Sequence, residues 1–237
     1  MKTIREQILE LVKTEISKIR TSNGYVTEIG QNPVRGRYDL FPSELPAVMM
    51  IANQENAAPR LGHNVNSIPL IIEGFKHYPN TGTDYSDRAA REAENMLGDI
   101  LSCILAPKIT LPFTNGIREP AIGIVLTGET STATAILESI SLSSGSWSGG
   151  DAAGTFSLRQ PWQDFTSELL KNPGSETIAS TLGTMTEIAP FNDLTNQIEY
   201  VRGGIEPLPD PGEDILKVSV SFNIYYATLF GNPYKQS

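Results

Sequence analysis

From Ile215 to Thr228 the chain reads ILKVSVSFNIYYAT. Leu216, Val218, Val220, Phe222, Ile224 and Tyr226 are apolar, and Lys217, Ser219, Ser221 and Asn223 between them are polar. A period of two in β-branched and aromatic residues predicts a long strand with one face on a core. Such a strand needs partners along its edges and a cover over its apolar face.

Two stretches have helical spacing instead. Residues 3–20 place Ile4, Ile8, Leu11, Val12, Ile16 and Ile19 on one face, with Lys, Arg and Glu on the other, and Asn23-Gly24 as the stop. Residues 86–106 carry a wider stripe of Ala89, Ala90, Ala93, Met96, Leu97, Ile100, Leu101, Ile104 and Leu105. Asn80 to Thr83 predicts a turn before it, Asp84 or Ser86 a cap, and Pro107 its end. This second helix is the natural cover for the strand at 215–228.

The remaining pattern is β. Tyr25–Ile29 predicts a short strand, Asn32-Pro33 a turn, and VRGRY follows. Ala47–Ala52 predicts another strand. Residues 53–66 predict a loop at the tip of a long hairpin, and Ser67–His77 its return strand, with Pro69 at an edge or entry position. QIEYVRGGIEPL, the turn LPDPGED and the long strand predict a second hairpin. LFGNPYKQS predicts a polar tail. Between the two helix-containing ends, IGIVLT, TATAILESISL and GTFSL are short β runs separated by glycine turns. Residues 159–196 show no regular pattern, with Trp162, Phe165 and Phe191 as anchors. The expected fold is α+β, an antiparallel or mixed sheet packed by two helices, with an inserted small all-β module. The core domain takes residues 1–108 and 197–237, the insert residues 109–196.

Charge and composition narrow the function. A net charge of −9 argues against a broad nucleic-acid-binding face. Cys103 is the only cysteine, so no intrachain disulfide is possible, and its apolar helical context predicts a small core residue. No apolar run is long enough to span a membrane. The N-terminal segment lacks the apolar core of a signal peptide. His63 and His77 read as surface residues. One Cys and two His cannot fill a Cys/His zinc site. Gly145-Ser-Trp-Ser-Gly149 has Trp where a nucleophile elbow needs Ser. Asp210, Glu213 and Asp214 have the chemistry for a hard cation, but they read as a solvated turn. No catalytic, cofactor-binding or metal residue is therefore predicted, and the expectation is a protein that is not an enzyme. Arg35, Arg37, Arg202 and Lys217 lie on or near predicted strands, where they either bridge subunits or face solvent. Ser219, Ser221 and Asn223 form the polar face of the long strand, and Glu55 and Arg60 sit in the 53–66 loop. These nine are the candidate assembly residues.

IREQILELV, GYVTEIG with VRGR, FPSELPAVMM and the closing VSVSFNIYYATLFGNPY together resemble the tail terminator (tail completion, or minor tail) proteins of tailed bacteriophages, over about 150 residues at the two ends. LTGETSTATA and SGSWSGGDAAGTFSL resemble a small β module found in phage virion proteins; RQPWQDF departs from that pattern. The resemblance implies a structural virion protein of the tail and neck, assembled in the host cytoplasm, with no cofactor. Such proteins form a homo-oligomeric ring, a hexamer, on the last ring of the tail tube protein. The ring stops polymerisation and docks the head–tail connector or neck protein, and in contractile tails the sheath. DNA only passes through the lumen, and an acidic lumen would repel it. The 53–66 loop is the expected contact with the tube end, and the insert with partners at the ring's periphery. Competing expectations are a neck or head–tail adaptor, a tube subunit, and an enzyme or sugar-binding protein with a site in the insert.

Overall fold

The computed structural model describes residues 1–37, 39–79, 85–191, 193–205 and 214–237. The elements run α1 (Ile4–Ile16), β1 (Asn32–Arg35), β2 (Ala47–Ala52), β3 (Asn56–Arg60), β4 (His63–His77), α2 (Tyr85–Leu105), β5 (Lys108–Gly116), β6 (Val125–Gly128), β7 (Thr134–Ser144), β8 (Ala152–Trp162), β9 (Glu168–Lys171), β10 (Thr177–Thr181), β11 (Thr186–Glu187), β12 (Gln197–Ile205), β13 (Ile215–Leu229) and β14 (Asn232–Gln236). The fold is mixed α/β, with two helices and two large sheets. The chain divides into two compact units. One holds residues 1–20, 26–105 and 190–237; the other holds 21–25 and 106–189.

In the first unit the strands run β1-β2-β4-β13-β12, with β3 added to β4 and β14 to β13. Leu216, Val218, Val220, Phe222, Ile224 and Tyr226 are all buried, as the period of two predicts. Burying one such side chain is worth roughly 1.5–3 kcal/mol. α2 packs against β13, β12 and β4, and α1 packs against α2, β14 and β1. Of the α2 stripe, Ala89, Ala93, Met96, Ile100 and Ile104 are buried, whereas Leu105 is exposed; Cys103 is buried as well. α1 is capped by the Thr3 hydroxyl, which accepts from the Glu6 N–H at 3.1 Å. It ends at Ile16, short of residue 20, yet Ile19 stays buried.

Several expectations are corrected. Tyr25–Ile29 is not a strand. The Val26 and Thr27 N–H groups donate instead to the buried Asp99 carboxylate of α2, at 3.1 and 2.7 Å, and the Thr27 hydroxyl donates at 2.7 Å. A side chain thus satisfies backbone groups that a ladder would otherwise have to take. Residues 53–66 are mostly strand: β3 pairs with a β4 that begins at His63. Pro69 lies inside a central strand rather than at an edge. Its carbonyl accepts from the Asn53 N–H at 2.9 Å, so its nitrogen faces the gap where β2 has ended and β3 has not begun. The C-terminal residues form β14 instead of a tail. The predicted turn at 80–83, the cap Asp84, and Asp210 and Glu213 of the acidic turn lie outside the described residues.

Apart from a 3-10 turn at Thr21–Asn23, the elements of the second unit are strands. They run β10-β9-β6-β7-β8-β5-β11, and β10 also pairs with β5, so six strands close on themselves. Closure removes the free edges of those strands. Leu111, Phe113, Leu126, Leu137, Phe156, Leu158, Leu170 and Ile178 fill the interior. Phe113 stacks on Phe156 at 4.0 Å between ring centroids, and Trp147 covers Phe113 at 5.3 Å. The centre of the Gly-Ser-Trp-Ser-Gly run is therefore a packing residue. β9, β10 and β11 lie where the sequence shows no regular pattern, because each is only two to five residues long.

Two charged groups are buried in this unit. Arg159, 2% exposed, donates to the carbonyls of Asn23 and Gly24 at 3.1 and 2.9 Å and lies 4.0 Å from the centre of the Tyr25 ring. Its Nε lies 3.7 Å from Glu138, which also meets Lys108 at 3.3 Å. This explains why residues 21–25 belong to the β unit. Gly24 has φ +76°, and a Cβ there would stand 2.4 Å from the Gly123 carbonyl oxygen. The second group is Glu168, 8% exposed. It accepts from the N–H groups of Thr130, Ser131 and Thr166 at 2.6, 2.8 and 3.0 Å and from the Ser131 hydroxyl at 2.5 Å.

Burial raises the Glu168 carboxyl pKa, but the Ser131 hydroxyl and the three N–H donors outweigh it and hold the group below its ordinary value of 4.5. A depressed folded-state pKa gives stability that is present above the unfolded value and lost as pH falls through the folded one. Both tryptophans, Trp147 and Trp162, lie in this unit, so their fluorescence reports on it. The denaturant midpoint followed by tryptophan emission should fall as pH drops below about 4.5. Glu168→Gln should be less stable at neutral pH and show a shallower acid slope. A variant with unchanged midpoint and slope would contradict this role.

Candidate assembly surface

The face of the first sheet opposite Phe222 and its neighbours carries Lys217, Ser219, Ser221 and Asn223, with Arg202 on the neighbouring strand. Pairing of β13 with β4 sets Lys217 opposite Phe75, Ser219 opposite Glu73, Ser221 opposite Ile71, Asn223 opposite Pro69 and Tyr225 opposite Ser67. On the other side β12 sets Arg202 opposite Ser221 and Glu199 opposite Asn223. The β13 residues of this face are half-buried, with Ile71 and Phe75 beside them. Lys217 pairs with Glu73 at 3.0 Å, its ammonium 5.7 Å from the Phe75 ring centre. Glu199 accepts from the Tyr225 hydroxyl at 2.8 Å and from Asn223 at 3.4 Å. The Glu199 hydrogen bond pushes the Tyr225 phenol above its ordinary value. The net charge of −9 is not concentrated on this face, where Lys217 and Arg202 stand against Glu73 and Glu199.

Most of the candidate charges find partners in their own chain. Arg35 makes a two-pronged pair with Glu6 of α1 at 2.9 and 2.7 Å, and that pairing holds the Glu6 carboxyl below its ordinary pKa. Arg37 pairs with Glu44 at 2.8 and 3.0 Å. Glu55 accepts from the Tyr226 hydroxyl at 2.6 Å and lies 3.4 Å from Arg5. Burial, then the Glu55 contact, pushes the Tyr226 phenol well above its ordinary range. These groups fix local structure: Arg35 ties β1 to α1, and Glu55 ties the β3 hairpin to β13. Arg60 and Arg202 are exposed. His77 lies 3.9 Å from Asp214.

Arg60 borders a feature the sequence pattern does not single out. The turns Arg60–His63 and Leu229–Asn232 close adjacent hairpins at one end of β4 and β13, and the Phe230 N–H donates to the Gly62 carbonyl at 3.2 Å. The two tips carry Leu61, 101% exposed, and Phe230, 67% exposed. Beside them Arg60, His63, Val65, Gln197, Tyr225 and Ala227 line part of a groove of about 570 Å³. The available signal was the repeated apolar-glycine pair, Leu61-Gly62 and Phe230-Gly231, in segments otherwise read as polar loop and tail.

Among the described residues no three His, Cys, Asp or Glu side chains stand together as a metal site. Among them also, no helix is long and apolar enough to cross a membrane. No family model and no curated protein matches the chain.

The two faces of β13 differ in what they contribute to stability. Phe222→Ala should cost about 3–5 kcal/mol in denaturant unfolding, while Ser221→Ala should change it by less than about 0.5 kcal/mol. Comparable losses from the two would contradict the assignment of faces.

Proposed function

We propose that this chain is a structural protein of the tail terminator class, a ring-forming subunit that caps a phage tail tube and offers a docking surface to the neck. The all-strand unit is then an inserted small β module, an addition at the ring's periphery. The observation that supports this reading best is the β12–β13–β4 face. It is broad, half-polar and charge-balanced, and its side chains pair with each other instead of converging on a pocket. Such a face suits protein docking, in which modest polar complementarity fixes register and scattered apolar residues supply burial. Exposed Arg60 and Arg202, with the two hairpin tips, provide contacts at its margins. The work of such a protein is binding: geometric complementarity between rings stops further subunit addition.

A tube subunit built on the same sheet is the nearest alternative, and the two differ in what they polymerise into. Negative-stain microscopy of the purified protein should show isolated rings of a single diameter. Long cylinders would identify a tube subunit and overturn the terminator reading.

A further inference from the structure

The hairpin tips carry side chains that their turns do not require. In each turn a glycine with positive φ, Gly62 at +81° and Gly231 at +71°, takes the third position. The second position of such a turn suits proline or a polar residue. Here it holds Leu61 in one tip and Phe230 in the other, and the tips are hydrogen-bonded side by side. Two separate turns thus place a large apolar side chain into solvent at the same spot, with Leu229, 39% exposed, next to them. Arg60 and His63 flank Leu61. The result is an apolar knob with a cationic edge on a chain of net charge −9.

The same unit carries a surface of matching chemistry. Along α1, Gln7, Glu10, Leu11 and Thr14, together with Leu194, line an open groove of about 410 Å³. Leu11 and Leu194 give it an apolar floor and Glu10 a carboxylate. Glu10 is held by Lys2 at 2.5 Å, but both side chains are about half exposed, at 42% and 59%. A pair so exposed contributes little and is exchanged at little cost.

We infer that the paired tips of one copy seat in the α1 groove of a second copy, with Leu61 and Phe230 over Leu11 and Leu194 and Arg60 beside Glu10. Knob and groove are different patches, so the contact is heterologous: every copy offers one of each, and repetition gives a closed ring or an open filament. The contact stands on this chain's own surfaces; its use in a tail ring rests on the terminator reading above.

Sedimentation velocity of the full chain, from micromolar to millimolar concentration, tests it. Wild-type protein should associate. Leu61→Asp/Phe230→Asp, which spoils the knob, and Glu10→Arg/Thr14→Arg, which spoils the groove, should each raise the dissociation constant by about a hundredfold or more. All four positions are exposed or half-exposed. Unchanged circular dichroism and melting temperature would therefore show that the fold is intact. Mixing the two variants leaves one good knob facing one good groove, so the mixture should form heterodimers and nothing larger. A wild-type monomer throughout the range, association undiminished in both variants, or a mixture that stays monomeric would each overturn the inference. Rings that survive both variants would remove this contact and leave the terminator reading standing. Long cylinders that the variants dissolve would do the reverse.

Discussion

Fifteen consecutive residue pairs join β4 to β13, from Ile215 opposite His77 to Leu229 opposite His63, and the first unit is built on that ladder. Its register decides which side chains meet the helices. A slip of one residue would turn Leu216, Val218, Val220, Phe222, Ile224 and Tyr226 outward and bring Lys217, Ser219, Ser221 and Asn223 inward. Burial on one side therefore fixes the composition of the other. The ladder also brings the two hairpin tips side by side at one end, because both hairpins begin from the paired strands.

The second unit meets the same problem of open strand edges by closure. Its six strands leave no free edge among themselves, and two buried charged side chains take up backbone groups inside it. Arg159 supplies donors to the carbonyls of residues 23 and 24. Glu168 collects the N–H groups of a tight turn. Removing either side chain would leave these backbone groups without the partner that the fold supplies. The first unit uses the same device where Asp99 takes the N–H groups of residues 26 and 27.

What was legible in the sequence follows from the range of the interactions. β13 and α2 were readable because a single buried face imposes one period over many residues. β2 was readable because its apolar run is short and bounded. The Tyr25–Ile29 strand was misread because local β propensity says nothing of a carboxylate 72 residues away. β9 to β11 are too short to show a period, and barrel closure between β10 and β5 is a non-local fact. Among the candidate residues, the strand assignment predicted the outward direction of Lys217, Ser219, Ser221 and Asn223. The carboxylate partners of Arg35, Arg37 and Lys217 depend on side chains brought close only by the fold, so their pairing within the chain was not legible. The tips were passed over because apolar-glycine pairs in polar segments carry no periodic signal.

The proposed ring formation joins these features into one account: a sheet face for docking, and a knob and a groove for contact between copies. Native mass spectrometry of the assembled protein measures that claim directly. The account predicts a single closed copy number, six by the family resemblance, with little population on either side of it. A continuous series of oligomers, or monomer alone at every concentration, would contradict it.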